Sequence, residues 1–286
     1  MAGPLLFPPE QSPSLSRRLM GIGLAMTGVF IAVALLAPLA QRLGLIPDPQ
    51  DLLSRLPLEP PGWGCWFGTN IRGYDVFSRT LFGAQAALQI VLLSTLLAVS
   101  IGVPLGMISA YLGGRVDKAL LFLMDTLYTL PGLLLSITLA FILGRGLLNV
   151  AVAVSIAYIP QYYRLVRNQT ASAKMELYIE AARALGAPPR RVLSRYLFLN
   201  VVHSVPVLLT LNAADAILIL GGLGFLGLGL PEETPEWGHA LKEALPDLST
   251  GIWWTTLFPG LALTLLVVGL SFIGEGLSEW LTPRRR

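Results

Sequence analysis

Charged residues divide this chain into long uncharged intervals. Between Arg18 and Arg42 lie 23 uncharged residues, between Arg79 and Arg115 lie 35, and between Asp125 and Arg145 lie 19. Arg145 and Arg164 enclose 18, Arg195 and Asp215 enclose 19, and Asp247 and Glu275 enclose 27. About 20 largely apolar residues carry a helix across the hydrocarbon core of a bilayer. The pattern therefore predicts six membrane-spanning helices, near 19–40, 87–111, 119–143, 147–164, 199–222 and 255–277. The first interval exceeds the roughly 7–15-residue apolar stretch of a signal peptide, so it reads as a retained helix.

These spans divide the chain into an N-terminal tail (1–18), a first helix (19–40), an outer loop (41–86), a five-helix core (87–278) and a C-terminal tail (279–286). The core contains an inner loop, 165–198, and a second outer loop, 228–252. Composition agrees with an all-α membrane protein. Only 13% of the 286 residues are charged, against the ~25% of a soluble domain, and mean hydropathy is +0.67. Such a chain is too apolar to stay disordered. One Cys excludes a disulfide framework, and two His argue against a histidine metal cluster.

Placing the N-terminus inside puts 14 of the 20 Lys and Arg on the cytoplasmic side, which is the bias that sets orientation. Both termini are then cytoplasmic. The same bias accounts for the basic pI without a nucleic-acid partner. Trp63, Trp66, Trp237, Trp253 and Trp254 fall near the outer boundaries, where headgroup anchors are expected.

The inner loop has its own pattern. Met175 to Leu185 is built of helix formers, with Leu177, Tyr178, Ala181 and Leu185 as a narrow apolar stripe. Ala181 and Ala182 are small enough to let another surface approach the backbone. Gly186 suits the left-handed position that ends a helix, and Pro188 and Pro189 suit the start of the next. A knob across the cytoplasmic face results. On these residues alone, a basic helix lying on the membrane surface fits equally well.

Two acids fall within spans. Asp215 lies deep in the fifth, between Ala213-Ala214 and Ala216-Ile217-Leu218, and is a candidate pore-lining or interhelical group. Asp125, early in the third, is also a translocation-pathway candidate, although a surface-accessible or capping acid fits there too. His203 reads as a packing or headgroup contact. Glycines cluster at Gly221, Gly222, Gly224, Gly227 and Gly229, where small residues allow close helix packing. None of the three Lys follows a Gly, so no phosphate-cradling loop is present. No catalytic constellation and no metal site are discernible.

Glu180-Ala181-Ala182, three residues, then Gly186 resembles the signature loop of ABC importer permeases. Further motifs match the dipeptide/oligopeptide (peptide/nickel) permease family. They are Phe67-Gly68-Thr69 through Arg79, Gly102-Val103-Pro104-Leu105-Gly106, Leu130-Pro131-Gly132, Gly224 through Gly229, and Thr234-Pro235-Glu236-Trp237-Gly238. The chain is similar to the second, C-type permease of that family. Two departures are visible. Leu197-Phe198-Leu199 lacks the family's proline, for which Pro206 is the substitute, and the acid often found at the place of Leu220 is absent.

The resemblance implies a type I ABC importer permease core with six transmembrane helices, the first packed peripherally. It makes Glu180, Ala181, Ala182 and Gly186 part of a cytoplasmic coupling helix. It implies a second homologous permease, two ATPase subunits and an extracytoplasmic solute-binding protein in the inner membrane of a prokaryote. The chain itself would hold no cofactor; ATP and Mg would be bound by the ATPases. Membrane lipid surrounds it. Dipeptides or oligopeptides are the implied cargo, with nickel or another small solute as the alternative. A self-contained secondary transporter would call for inverted repeats around a midplane site, which the sequence does not clearly show. A membrane scaffold without transport is the remaining rival.

Overall fold

A computed structural model describes residues 13–51 and 56–281; the outer parts of both expected tails lie outside the described residues. Its elements are helices, and among the described residues only two isolated β-bridges occur, Gly62 with Cys65 and Thr69 with Asp75. The long helices are α1 (Pro13–Arg42), α2 (Val76–Leu112), α3 (Gly114–Thr129), α4 (Gly132–Leu143) and α5 (Leu147–Ala173). A short helix α6 (Leu177–Ala184) follows, then α7 (Pro189–Arg191), a π-helical stretch Val192–Leu197, α8 (Phe198–Val201) and a 3-10 turn Val202–Ser204. The chain ends with α9 (Val205–Leu226), α10 (Trp237–Glu243), α11 (Leu245–Ser249) and α12 (Trp254–Leu281).

Among the described residues, four stretches are long and apolar enough to cross a membrane: Leu15–Arg42, Val76–Leu112, Pro189–Leu226 and Trp254–Leu281. The pair α3 and α4 makes a fifth if taken as one broken span. The sequence pattern anticipates one membrane span over 119–143, and in the structure this stretch is two helices that meet at 92°. The cause is Pro131. It forces Leu130 into extended geometry (φ −80°, ψ 133°) and has no N–H to continue the ladder. Helix α2 begins at Val76, so 76–86, expected as loop, is helical. Asp75 sets that start by accepting the Ser78 N–H at 2.8 Å.

Helix α5 is 27 residues long but falls outside the apolar set, because Asn149, Pro160, Gln161 and Arg164 interrupt it. Its position explains the tolerance. Tyr158, Tyr162, Tyr163, Val150 and Val154 are essentially fully buried. The closest crossing is with α2. A β-carbon on Gly102 would lie 2.8 Å from the Ile159 carbonyl oxygen, and one on Gly106 2.6 Å from that of Tyr163. Both glycines are therefore required by backbone contact, as at other membrane-helix crossings. Helix α1 packs on the outside of α12 through Gly23, Gly269 and Gly276, with Leu35 left 72% exposed.

Pro206 stands at the first turn of α9, just past the π-helical and 3-10 segments. The irregular backbone thus lies one turn ahead of the proline that would otherwise interrupt a regular helix. Met20 of α1 meets Gly276 of α12, and Leu281 lies beside Ser204 and Gln169. Both described chain ends thus lie at the end of the bundle that carries α6.

Candidate functional site

At the α6 end, helix α5 continues past the expected span and stops at Lys174. The Lys174 ammonium donates to the Ala110 carbonyl at the end of α2, 2.7 Å away. Helix α6 then crosses the end of the bundle. Its underside is Ile179 and Ala182, both buried; Ile179 joins the core that holds Val192 and Leu197. Its upper side carries the expected stripe, with Leu177 80% and Leu185 89% exposed. Glu180 and Ala181 are also exposed. The two small residues expected to admit another surface therefore divide: Ala181 is open, while Ala182 is used against the chain's own core.

The turn that follows is fixed locally. Gly186 has φ +81°, its N–H donates to Arg183 at 2.9 Å, and the Ala187 N–H donates to Ala182 at 3.0 Å. This double bond pattern is a Schellman motif, which favours glycine at the left-handed position. Pro188 caps the next helix and Pro189 opens it. The Arg183 guanidinium lies 5.1 Å over the Tyr111 ring, and Asn200 donates to the Tyr178 hydroxyl at 2.7 Å. The knob is thereby tied to α2 on one side and to the entry of α9 on the other.

The two acids singled out from sequence occupy different surroundings. Asp125 accepts from Arg164 Nε at 3.1 Å and Nη2 at 2.7 Å, and the same guanidinium lies 4.0 Å over Tyr128. Asp215 accepts from the buried Tyr158 hydroxyl at 2.9 Å while its own side chain lies on the exposed face of α9. A third acid, unremarked in the sequence, is more enclosed. Asp117 takes two parallel bonds from Arg167, 2.6 and 2.7 Å, and a third from Ser109 at 2.6 Å. Ser109 also meets the Tyr163 hydroxyl at 2.6 Å. This joins α2, α3 and α5 beneath the knob.

At the opposite end the two loops interlock with the bundle. Glu236 caps α10 by accepting the Gly238 and His239 N–H groups at 2.7 and 2.8 Å. Its side chain fills the space over Gly224, the neighbouring Gly238 backbone rests on Gly221, and the Trp237 ring occupies the space over Gly83. The Trp237 indole also donates to Thr80 at 2.9 Å. The glycine cluster therefore receives this loop. Burial pushes the Glu236 carboxyl up to about 7, with its two N–H bonds opposing the shift.

Arg72 bridges Glu232 at 3.0 Å and Glu243 at 2.7 Å, and Arg145 reaches Glu232 at 3.3 Å. Bonds from these two arginines hold the Glu232 carboxyl below its usual range. Arg79 is buried and donates to the backbone oxygens of Pro49, Glu232 and Glu233. Trp237 and Trp254, expected as headgroup anchors, are buried instead, and Trp254 donates to Thr69 at 3.2 Å. Trp63, Trp66 and Trp253 are exposed. None of these loop contacts has a local sequence signal, because the partners lie up to 185 residues apart. Among the described residues, no group of three or more His, Cys, Asp or Glu is placed to hold a metal.

Comparison with known proteins bears on this architecture. A dipeptide transport system permease protein, DppC, of Alkalihalophilus pseudofirmus is 34% identical over 266 residues, covering 93% of this chain and 86% of the relative. A glutathione transport system permease protein, GsiD, of Pectobacterium atrosepticum is 37% identical over 226 residues, covering 79% of this chain and 75% of the relative. Residues 102–286, which in this chain include the bent α3–α4 pair, α6 and α10, match the family described as binding-protein-dependent transport system inner membrane component. The chain belongs to the family of binding-protein-dependent transport system inner membrane components.

Proposed function

We propose that this chain is one permease subunit of an ATP-driven importer and that its cargo is short peptides. The observation that carries the reading is α6: an exposed apolar stripe on a helix whose underside is anchored in the core. A stripe of this kind exposed to water calls for a partner. In this reading the partner is an ATPase subunit, and Glu180, Ala181 and Gly186 lie at the contact while Ala182 holds the helix down. The peptide cargo follows from the names of the dipeptide and glutathione permeases to which the chain is similar.

The remaining parts follow. The crossings are α1, α2, the bent pair, α5, α9 and α12, six in all, with α5 sheltered from lipid by its neighbours. The α6 end faces the cytoplasm and the loop end faces outward, in the inner membrane of a prokaryote. A second permease completes the pathway, two ATPases bind ATP and Mg, and a solute-binding protein docks on the loops. Asp215 and Asp125 belong to the pathway. The permease chain itself carries out no bond chemistry; it changes between inward- and outward-open populations as the ATPases close and open.

The test is uptake by the complete complex in proteoliposomes. Glu180→Arg reverses a charge at the contact. Gly186→Val places a branched side chain at a left-handed position, a strain of about 1–2 kcal/mol. Each variant is expected to assemble and to lower uptake at least tenfold. Uptake at the wild-type rate by both would remove α6 from the coupling route.

A further inference from the structure

Asp215 is residue eleven of the 22-residue apolar helix α9, about three turns inside the loop end of the Pro189–Leu226 stretch. A carboxylate there is costly unless it faces water or a cation. Its neighbours Ala213, Ala214, Ala216 and Ile217 are buried, whereas Leu211, Asp215 and Leu218 share one exposed face. Among the described residues no cationic side chain pairs with it. Its recorded partner is Tyr158, itself 1% exposed, whose hydroxyl donates to Oδ2 at 2.9 Å. A buried tyrosine thus orients an acid whose other face is open.

One turn along the same seam lies a cleft of 510 Å³, lined by Gln161 and Arg164 of α5 and by Leu208 and Leu211 of α9. That size lies within the roughly 300–1,000 Å³ of small-ligand sites. Leu211 stands four residues before Asp215, and Gln161 three after Tyr158, so the acid lies about one helical turn beyond the lining of the cleft. Arg164 supplies the opposite charge, steadied by Asp125 and by the Tyr128 ring. Tyr158, which holds Asp215, and Arg164 are six residues apart on one helix, an axial rise of about 9 Å between their backbone positions at 1.5 Å per residue. At 3.3–3.6 Å per extended residue, the charged ends of a di- or tripeptide are about 7–10 Å apart.

We propose that Asp215 and Arg164 are the two poles of a peptide subsite in the translocation path, Asp215 taking the protonated amino terminus and Arg164 the carboxylate. Tyr158 and Asp125 are the positioning residues. The inference rests on the peptide-importer reading and adds to it which groups of the cargo this chain recognises. Both poles accommodate any side chain between them, because they read the termini common to all short peptides.

The experiment uses the complete complex in proteoliposomes with saturating binding protein and trialanine as probe. Peptide uptake and ATP hydrolysis are measured together for the wild type, Asp215→Asn and Asp215→Glu. The amide is isosteric and still accepts from Tyr158, so the fold is preserved. Asp215→Asn is expected to lower trialanine uptake per ATP at least tenfold while binding-protein-stimulated hydrolysis stays within twofold. Asp215→Glu is expected to recover most of the uptake. Wild-type uptake per ATP in Asp215→Asn would overturn the proposal. So would a loss of hydrolysis together with loss of the second permease on purification, which would make Asp215 a contact between subunits. A wild-type complex whose ATPase responds to binding protein but which moves no trialanine would overturn the peptide reading itself, whatever the variants do.

Discussion

Gly238 shows how much a single hydrogen atom in place of a side chain can decide. A β-carbon there would collide with the Gly221 backbone, which cannot rotate away as a side chain can. Gly238→Ala is therefore expected to unseat α10 and destabilise the loop end by about 1–3 kcal/mol, the usual penalty of overpacking. Gly21→Ala is the control, since no atom lies within 4 Å of its β-carbon. Thermal unfolding of the purified chain in detergent checks both. Glu236 makes a pH prediction at the same place. Its carboxyl titrates at about 7 when seated and near 4.5 when free. The seated form binds more protons between those values, so the seat is strongest at or below pH 4.5 and weakens as pH rises through 7. Protection of the Gly238 and His239 amides, taken relative to the intrinsic exchange rate at each pH, should fall over that window, and Glu236→Gln should flatten the dependence.

At the scale of elements, legibility follows the range of the forces involved. The turn of the knob is legible in the sequence, because Gly186, Pro188 and Pro189 act on their own backbone. The bend between α3 and α4 was equally local, in Pro131, but the uncharged interval runs straight through it. A count of charges does not register a missing N–H. Burial was not readable: one stripe predicts a face, yet whether it points inward depends on what packs beneath it. The stripe of Leu177, Tyr178, Ala181 and Leu185 points outward, and the core instead takes Ile179 and Ala182. This division makes a prediction. Ile179→Ala removes a fully buried side chain and should cost about 2–4 kcal/mol of stability. Leu177→Asp, on the exposed side, should leave unfolding within about 0.5 kcal/mol of wild type. It should nevertheless abolish uptake by the complete complex, a contrast that separates fold from coupling.

For the molecule as a whole, the two ends differ in kind. The loop end is tied together by ion pairs and carbonyl bonds between segments as distant as Arg72 and Glu232. The α6 end presents apolar side chains with nothing over them in the isolated chain. The long-range ties were out of reach of sequence reading, since Arg164 and Asp125, or Arg167 and Asp117, meet only because α3 folds back along α5. The overall class was within reach, because lipid imposes its requirement on every residue of a span and so leaves a mark twenty residues long. A chain with an uncovered α6 stripe is expected to work only with partners. Native mass spectrometry of the chain, extracted gently from its own membrane, tests it most directly. The expected particle holds one different permease and two ATPase chains, and Leu177→Asp releases the ATPases from it. A particle containing only this chain, under conditions that keep a known ABC importer whole, would contradict it.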